Sequence, residues 1–445
     1  MTSSSRSTEL SSPETLVSAI SLLKFPFQLE RDQIEAVDAW IANNYRGSII
    51  YSTGTGKTEI AFECAKRACE SLVHNNKPFN ILFLVPRIVL VQQNINRLIR
   101  YGIPEERIGA YFGERKEVRE ITISTYQSAI SNLALINKSK MTIFDEVHLV
   151  SDTATTLRKI FNFTRPADHK KPMLGLTATI DEQDSRYNTI LTLLPPVKRY
   201  MIKDAVKDKR LAKPVVIPIK VDLTSDERKV YHECSTKIRN ISSYLHTSDP
   251  KSITLLLRKG GHTAGLARAW FANVKERKHL INCAENKLLA ALDILATRHL
   301  HERVMVFSET IESIQMLKEL LKTKGINSML IDSKLKSKDR QKILSQWGKD
   351  FFPLLSVHTL EIGYDVPEVR VAIILASTSN MNQIIQRIGR ILRKTSGKDV
   401  ALIYTVYLSY THDFNTLKMV RQATDIEHES EDPRVSSSNL DMYII

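Results

Sequence analysis

The stretch Tyr51–Ala61, which reads "YSTGTGKTEIA", decides the fold of this 445-residue chain. A short β-branched run precedes it and apolar residues at helical spacing follow it, so we predict a strand, a tight loop and a helix. Gly54 and Gly56 let successive backbone N–H groups turn toward a phosphate, and the start of the helix adds its dipole. The loop matches the nucleotide-binding pattern G-x-x-x-x-G-K-[ST] except at its first position, which Tyr51 occupies.

Within this loop, Lys57 is expected to reach the β- and γ-phosphates of a nucleotide, and the Thr58 hydroxyl to take one Mg²⁺ position. The residues expected to bind ATP here are Thr53, Gly54, Thr55, Gly56, Lys57 and Thr58. A Gly-rich turn with one exposed lysine is the alternative, because a loop match alone is weak support.

Two carboxylates near the middle of the chain offer a second test. "MTIFDEVHLV" places Asp145 and Glu146 at the end of a short β-prone run, the edge at which open α/β sheets bind ligands. If this strand lies beside that of the loop, Asp145 can hold Mg²⁺ through water, and Glu146 can orient and deprotonate an attacking water. An acidic exit from a strand is the alternative. Because both features serve one reaction, we interpret them as a site of nucleotide hydrolysis.

Phosphoryl transfer also needs positive charge on the transferred phosphate, and "NQIIQRIGRILRK" supplies Arg387, Arg390 and Arg393. A spacing of three places Arg390 and Arg393 on one face of a predicted helix. A solvated basic face is the common alternative, but such a face has no need of Gly389, which costs about 1 kcal/mol inside a helix. We predict an arginine finger from a second lobe, so that hydrolysis depends on lobe closure.

The charge of the chain predicts a polyanionic partner. Its formal net charge is +14 and its sequence pI is about 9.4, whereas 42% hydrophobic and 25% charged residues are ordinary for a soluble protein. Nucleic acid is the simplest such partner, and a diffuse solubilising charge is the alternative.

Membrane and metal-cluster signals are missing from the sequence. No apolar run reaches the ~18 residues of a membrane span, and the Ser/Thr-rich start lacks the apolar region of a secretory signal. We expect an intracellular protein in the cytoplasm, at the nucleoid or, in a eukaryote, in the nucleus. The 4 cysteines form no C-x-x-C pair, which argues against a zinc knuckle, an iron–sulfur cluster or a disulfide framework.

Runs rich in Ile, Leu, Val and Phe alternate with helical patterns along most of the chain, which is typical of parallel sheets wrapped by helices. Between 222 and 285, Lys- and Arg-rich helical periodicity replaces this alternation. The expected fold class is α/β, with two tandem parallel-sheet lobes and a helical insertion between them. The predicted parts are an N-terminal tail with a short helix (1–24), the first lobe (25–221), the insertion (222–285), the second lobe (286–425) and a polar C-terminal tail (426–445).

The ordered motifs together resemble those of superfamily 2 helicases and translocases, over roughly residues 25–424. "STGTGKT" resembles motif I, "DEVH" motif II, "TAT" motif III, "EIGYDVPEV" motif V and "QRIGRILR" motif VI. In that group the first motif commonly opens with a residue other than glycine, so Tyr51 is no objection. The resemblance implies two RecA-like lobes that use ATP and Mg²⁺, with Thr58 and Asp145 at the metal.

The resemblance implies roles for further residues. Gln33 is expected on the adenine side of the nucleotide, Gly363 and Asp365 are expected to face it, and Gln386 is expected to position water with Glu146. Coupling between the nucleotide state and a nucleic-acid groove is expected of Thr177, Thr179 and His148. Caps of helices or turns are the alternative for the two hydroxyls.

Nucleic acid is expected to be held mainly through its phosphates. The residues expected to contact it are Arg87, Tyr126, Gln127, Ser356 and Thr359. In the insertion, Arg258 and Lys259 with Trp270 and Phe271 suggest charge plus stacking. Core packing of these two rings against the second lobe is the favoured interpretation.

Within superfamily 2, "TYQS", "GYDVPEV" and "QRIGRILR" are most similar to the XPB-like branch. Where XPB-like proteins carry Arg-Glu-Asp shortly after motif III, this chain has Glu182, Gln183 and Asp184. The change removes a positive charge and puts strand separation by that element in doubt. The segment 222–285 takes roughly the place of the thumb insertion of that branch.

The expected function is that of an ATP-dependent DNA helicase or duplex DNA translocase, and the resemblance implies 3′ to 5′ movement. DNA is favoured over RNA, and a nuclease or repair protein is an expected partner. One alternative is an RNA helicase, since both phosphate backbones look alike to these motifs. Another is an ATP-switched remodelling module with little unwinding, which the altered residues 182–184 keep open.

Overall fold

The structure, a computed structural model, describes residues 17–73, 78–163, 171–332, 334–357, 369–376, 381–395 and 397–424. The chain divides into two compact units, with the boundary between Met201 and Ile202. Each unit is built on its own β-sheet.

Eight described strands form the sheet of the first unit: β1 (Arg46–Tyr51), β2 (Ile81–Val85), β3 (Ile108–Phe112), β4 (Arg115–Lys116), β5 (Ile121–Thr125), β6 (Met141–Asp145), β7 (Met173–Thr177) and β8 (Pro196–Tyr200). Their order is β4-β3-β5-β2-β6-β7-β1-β8, and β3 with β4 is the one antiparallel pair among these strands. β2, "ILFLV", is buried at every residue, as expected where helices cover both faces of a parallel sheet.

The helices of the first unit are α1 (Arg31–Ala42), α2 (Lys57–Leu72), α3 (Ile88–Arg100), α4 (Tyr126–Ser131), α5 (Ala134–Lys138), α6 (Thr155–Arg158) and α7 (Asn188–Leu193). In α2 the residues Ile60, Cys64 and Ala68 recur at intervals of four and are all buried. One face of this helix therefore points into the core and fixes the loop that precedes it.

Six described strands form the parallel sheet of the second unit: β9 (Lys213–Val221), β10 (Val304–Ser308), β11 (Met329–Ile331), β12 (Pro353–Val357), β13 (Val371–Ile374) and β14 (Val400–Leu408). Their order is β11-β12-β10-β13-β14-β9. The helices are α8 (Ile202–Lys207), α9 (Ser225–Tyr244), α10 (Pro250–Leu256), α11 (Gly261–Cys283), α12 (Glu285–Asp293), α13 (Ile311–Thr323), α14 (Ser337–Gln346), α15 (Met381–Ile391) and α16 (Phe414–Thr424). Among the helices described in both units, none combines the length and the apolar character needed to span a bilayer.

The two parallel sheets with flanking helices confirm the predicted α/β fold. The position of β9 differs from the predicted boundaries, which assigned residues 25–221 to the first lobe. β9 pairs with β14 along its whole length, from Lys213 opposite Val400 to Val221 opposite Leu408. The helical insertion therefore lies inside the second unit, after its first strand. The sequence did not show this, because the partner of a parallel strand is remote along the chain.

The insertion itself has a small apolar core. Ile238, Ile253, Ala267 and Trp270 form this core between α9, α10 and α11. Trp270 is 5% exposed, and its indole Nε1 donates to Ser242 Oγ at 2.8 Å. Core packing, the favoured interpretation of this ring, is therefore what the structure has, but the core belongs to the insertion and not to the second sheet.

A buried ion pair joins α12 to the segment after β14. Lys287 Nζ lies 2.7 Å from Asp413 Oδ2, and the side chains are 0% and 4% exposed. The Asp413 carboxylate also accepts hydrogen bonds from the Leu408 backbone and the Thr416 hydroxyl. Replacing Lys287 by Met leaves a buried carboxylate without its cation, so we expect the free energy of unfolding to fall by about 3 kcal/mol. Urea denaturation measures this, with Lys322→Met on the exposed side of α13 as the control, and an unchanged midpoint contradicts it.

Candidate functional site

Three neighbouring strands of the first sheet end at the same edge, and each ends at a predicted site. β1 leads into the phosphate loop (52–56), β7 ends at Thr177 and β6 ends at Asp145. β7 lies between the other two, with Ile50 opposite Thr177 and Leu176 opposite Asp145. β7 therefore separates the strand of the carboxylates, β6, from the strand that leads into the loop, β1. Because the strands are parallel, the three sites still share one edge.

The phosphate loop adopts a conformation that its glycines permit. Gly54 and Gly56 have φ angles of 89° and 92°, the left-handed region that L side chains rarely adopt. Thr55 Oγ1 donates to the Ser52 carbonyl at 2.7 Å and holds the turn closed. Within the described residues, no side chain caps the start of α2. Its first N–H groups are thus left for a negatively charged ligand.

Tyr51 has a structural role at the position where the pattern has glycine. Its ring stacks on Tyr200 with 4.9 Å between the centroids, and its hydroxyl donates to the Asp32 carbonyl at 2.6 Å. Its own carbonyl accepts a hydrogen bond from Lys57 Nζ at 3.0 Å. Tyr51 therefore supports the loop from the core and orients the lysine, a role that no signal in the sequence indicated.

Gln33 contacts the loop from α1. Its side chain is buried, its Oε1 accepts from the Glu30 N–H at 2.9 Å, and its Nε2 donates to the Thr55 carbonyl at 3.0 Å. A Cβ atom on Gly56 would lie 2.2 Å from that Nε2. The residue expected on the adenine side thus fixes the loop backbone and fills the space next to Gly56.

Glu146 has an uncommon backbone conformation directly after β6. Its φ and ψ are 53° and 51°, a left-handed conformation that costs energy in a non-glycine residue. Its side chain is buried, and its Oε2 accepts no hydrogen bond from the described residues. Burial, together with the neighbouring Glu146 carboxylate, raises the pKa of Asp145 to about 7. A bound cation lowers that pKa again, since it favours the carboxylate form.

A chain of polar contacts links Glu146 to the end of β7. His148 Nδ1 lies 3.4 Å from Glu146 Oε2 and 3.0 Å from Thr177 Oγ1. Thr177 Oγ1 donates to the Thr179 carbonyl at 2.8 Å, so we assign the proton between His148 and Thr177 to Nδ1. Burial lowers the pKa of His148, which favours the neutral form of its ring. Of the three residues predicted to couple nucleotide and nucleic acid, His148 therefore contacts the predicted base directly, and Thr177 and Thr179 follow it in the chain of contacts.

The residues around the loop fit a nucleotide and a divalent cation. Thr53 Oγ1 is buried and has no hydrogen-bond partner in the part of the chain that the structure describes, and Thr58 is partly exposed in the first turn of α2. Arg97, which the sequence did not single out, lies 3.6 Å from Glu59 of that turn, and its charge slightly opposes the rise in the pKa of Asp145 that burial causes. Orphaned polar atoms next to an uncapped helix start are what phosphate oxygens and Mg²⁺ satisfy.

Of the five residues predicted to contact nucleic acid, two are accessible and two are buried. Arg87 is partly exposed before α3, and Gln127 is exposed in the first turn of α4. Tyr126 is 1% exposed and donates its hydroxyl to a β6 carbonyl at 2.7 Å, and Ser356 is 1% exposed on β12. Side chains so deeply buried do not reach a phosphate backbone, so the structure corrects these two predictions. Thr359 lies outside the described residues.

In the second unit, α15 carries the predicted water-positioning glutamine and two of the arginines. Gln386 and Arg390 are buried, and the Arg387 guanidinium lies 5.6 Å from the Phe307 ring centroid. α15 ends at Ile391, and the backbone of Arg393 instead pairs with that of Leu211 in an isolated antiparallel β-bridge. The prediction that Arg390 and Arg393 share one helix face is therefore wrong. The predicted nucleotide residues Gly363 and Asp365 lie outside the described residues.

Lys398 stabilises the end of α15. Its side chain is buried, and Nζ donates to the carbonyls of Ile391, Arg393 and, at 2.6 Å, Val369. These bonds satisfy carbonyls that the end of a helix leaves without partners. Lys398 thus holds the backbone on both sides of the helix end, which the motif pattern did not reveal.

The altered element after motif III is balanced by nearby arginines. Glu182 forms an ion pair with Arg199, and Asp184 Oδ2 accepts a hydrogen bond from Arg186 Nε at 2.7 Å. The two carboxylates therefore stand beside basic side chains that lie outside the three-residue element. Residues 182–184 by themselves contain neither of these basic partners.

Two protein-family models match the chain. Residues 26–182 match "Type III restriction enzyme, res subunit", and residues 286–395 match "Helicase conserved C-terminal domain". The first match contains the phosphate loop and the carboxylate pair, and the second contains α15.

Proteins of known name are similar to nearly the whole chain. It is 26% identical over 409 residues to a DNA 3'-5' translocase XPB2 of Sulfurisphaera tokodaii, covering 90% of this chain and 86% of that protein. It is also 26% identical over 402 residues to a DNA 3'-5' helicase XPB of Mycobacterium tuberculosis, covering 87% of this chain but only 62% of that relative. Among solved structures, the Pyrococcus furiosus Hef helicase domain has a TM-score of 0.57 at 18% identity, covering 88% and 99% of the two chains, which shows a shared fold.

Proposed function

This chain belongs to the XPB-like branch of the superfamily 2 helicases, and from that premise we propose that it is an ATP-dependent DNA helicase or duplex DNA translocase. Relatives that bear the names DNA 3'-5' translocase and DNA 3'-5' helicase support DNA as the substrate and 3′ to 5′ as the direction. The net charge of +14 supports a nucleic-acid partner, because basic side chains bind phosphates. A nuclease or repair protein as partner stays a prediction.

The observation that carries the proposal is the edge of the first sheet where β1, β7 and β6 end. We propose that Lys57, Thr58 and the first N–H groups of α2 bind the phosphates and Mg²⁺, and that Asp145 holds the cation through water. ATP supplies the phosphoryl group and Mg²⁺ neutralises part of its charge. Glu146 then takes a proton from the attacking water. Its buried Oε2, which accepts no hydrogen bond from the described residues, suits that role.

The contact chain from Glu146 supports coupling of hydrolysis to movement. His148 contacts both Glu146 and Thr177, and Thr177 contacts the backbone of Thr179. A change of charge on Glu146 therefore acts on the segment that follows β7. We propose that this segment transmits the nucleotide state to the bound DNA.

The second unit contributes the remaining residues in this proposal. Gln386 positions water with Glu146, and Arg390 and Arg393 stabilise the charge that develops on the transferred phosphate. Arg387, whose guanidinium lies over the ring of Phe307, packs α15 on its own sheet. The roles of Gly363 and Asp365 toward the nucleotide remain predictions.

Gly56→Ala is expected to weaken ATP binding at least ~10-fold. The new Cβ would lie 2.2 Å from Gln33 Nε2 at a φ of 92°, a conformation that costs an L residue about 1–2 kcal/mol. Either the loop or the Gln33 side chain that holds the Thr55 carbonyl must then shift, and the loop loses its shape for the phosphates. Titration with a fluorescent ATP analogue measures the affinity. Gly113→Ala is the matched control, because its φ is also positive but its Cβ would meet nothing within 4 Å. Equal affinities in the two variants contradict the prediction.

The proposed function is tested by steady-state ATP hydrolysis with single-stranded DNA, duplex DNA, RNA or no nucleic acid. We expect stimulation by DNA, and stimulation by RNA alone would identify an RNA helicase instead. Strand displacement on duplexes with a 3′ or a 5′ overhang then separates a helicase from a translocase and gives the direction. If no nucleic acid changes the rate of ATP hydrolysis, the helicase proposal is wrong and the chain is a nucleotide-binding module.

A further inference from the structure

Three side chains of the kinds that can bind metals lie together where the end of α11 meets the start of α13, away from the phosphate loop. His279 and Cys283 are four residues apart on α11 and so share one helix face. Glu312 belongs to the first turn of α13. One ligand atom of each residue lies within 4.8 Å of the other two, and His279 Nε2 is 3.2 Å from Glu312 Oε2.

We propose that His279, Cys283 and Glu312 bind one zinc ion, which links the helical insertion to the second lobe. Zinc takes imidazole nitrogen, thiolate sulfur and carboxylate oxygen as ligands, usually four in a tetrahedron. A thiolate among them favours zinc over magnesium or calcium, which prefer oxygen ligands. Three protein ligands leave the fourth position to water.

The geometry of the cluster is close to what zinc requires. Bonds of ~2.0–2.3 Å to zinc place tetrahedral ligand atoms roughly 3–4 Å apart. The three ligand atoms here lie within 4.8 Å of one another, so small side-chain rotations that bring them closer are needed to bind the ion. His279 and Glu312 are 47% and 62% exposed, and Cys283 is half-buried, so an ion reaches all three from solvent. The neighbouring Lys278 is engaged by Glu309 at 2.7 Å, which reduces the repulsion of a cation.

The cluster lies where one helix ends and two others begin. α11 ends at Cys283 with a partial negative charge, which the starts of α12 at Glu285 and α13 at Ile311 offset, so the cation is held by the three side chains and not by helix dipoles. Close by, Ile281 and Ala284 pack with Leu223 and Leu408 in a small apolar cluster. An ion held at this point would fix the last turn of the insertion's longest helix to α13, which packs on the second sheet.

Zinc and cobalt binding by the full chain test this inference. The metal-free chain is equilibrated with Zn²⁺ and the retained metal is counted. Co²⁺ is a spectroscopic probe, because a thiolate ligand gives it a charge-transfer band. We expect one ion per chain, loss of the band in Cys283→Ser, and affinity at least ~10-fold weaker in Glu312→Gln. Zinc should also raise the Tm of the wild type by several degrees, because a bound ion stabilises the folded state.

The controls separate this site from other zinc ligands and from the ATP site. The chain has 12 histidines, which can bind zinc elsewhere. The test of this site is therefore the difference in zinc content between the variants and the wild type, and not the total zinc content. Glu319→Gln, which changes an exposed carboxylate on the same helix as Glu312, should bind zinc as the wild type does. Equal zinc content and an unchanged cobalt spectrum in Cys283→Ser and Glu312→Gln would overturn the inference. ATP hydrolysis without added zinc should be unchanged in both variants, so the result stands apart from the proposed function.

Discussion

Replacing Glu146 by Gln is expected to lower DNA-stimulated ATP hydrolysis about 10³-fold while ATP binding is kept. A positioned general base contributes roughly 10²–10⁴-fold to a rate, and an amide of the same size cannot take the proton. The backbone after β6 and the contact with His148 keep the new side chain in the same place. Steady-state hydrolysis with and without DNA, together with titration of an ATP analogue, separates catalysis from binding.

Two comparisons make this result specific. Glu114→Gln, which removes an exposed carboxylate from the turn between β3 and β4, should hydrolyse ATP as the wild type does. The Glu146 variant should be no less stable than the wild type, because it replaces a buried charge by a neutral group. Hydrolysis at the wild-type rate in Glu146→Gln would assign the base to another group, with Asp145 as the first to examine.

Replacing Arg390 by Ala is expected to lower kcat for ATP hydrolysis by ~10³-fold or more, with little change in the KM for ATP. An arginine that stabilises charge on the transferred phosphate acts mainly in the transition state, and in other phosphoryl-transfer enzymes it contributes ~10³–10⁵-fold. Arg390 is buried on α15, one turn after Gln386. Arg390→Lys keeps the charge but loses the planar fork, so it should recover only part of the rate.

The end of α15 makes the two arginines separable. Arg390 lies on the helix, whereas Arg393 follows its end and forms a bridge with Leu211. Losses of similar size in Arg390→Ala and Arg393→Ala would support two arginines at the phosphate, and a loss in Arg390→Ala alone would leave one. Lys342→Ala on the exposed side of α14 is the control for removal of a basic side chain. If Arg390→Ala retains the wild-type kcat, the finger belongs to another residue.

Sequence patterns were most successful where the chemistry is local. The phosphate loop needs two glycines, a lysine and a hydroxyl within a few residues, and the structure places them in the loop after β1 and the first turn of α2. The carboxylate pair needs only a strand end, and β6 supplies it. Alternating apolar runs and helical patterns predicted two parallel sheets, because burial on both faces leaves continuous apolar strands.

Predictions that required a neighbour were less successful. Tyr126 and Ser356 stand in motifs that suggest contact with nucleic acid, but their side chains are buried. Arg393 continues the spacing of a helix that ends at Ile391, and beyond that end Arg393 pairs with Leu211 while Lys398 binds the carbonyls of Ile391 and Arg393. Each of these contacts joins residues that lie apart in sequence or face into the core, so no local pattern contains them.

The sequence by itself determined the fold class and the order of the motifs, and it predicted the residues proposed here for phosphate binding, metal binding and proton transfer. These features depend on local propensity and on functional groups within one loop or turn. Only the tertiary structure decided that β9 belongs to the second sheet, that Tyr51 supports the loop, that His148 connects Glu146 to Thr177, and that His279 and Cys283 meet Glu312. The physical reason is that packing and hydrogen bonding act between neighbours in space, and a parallel fold takes most of those neighbours from distant parts of the chain.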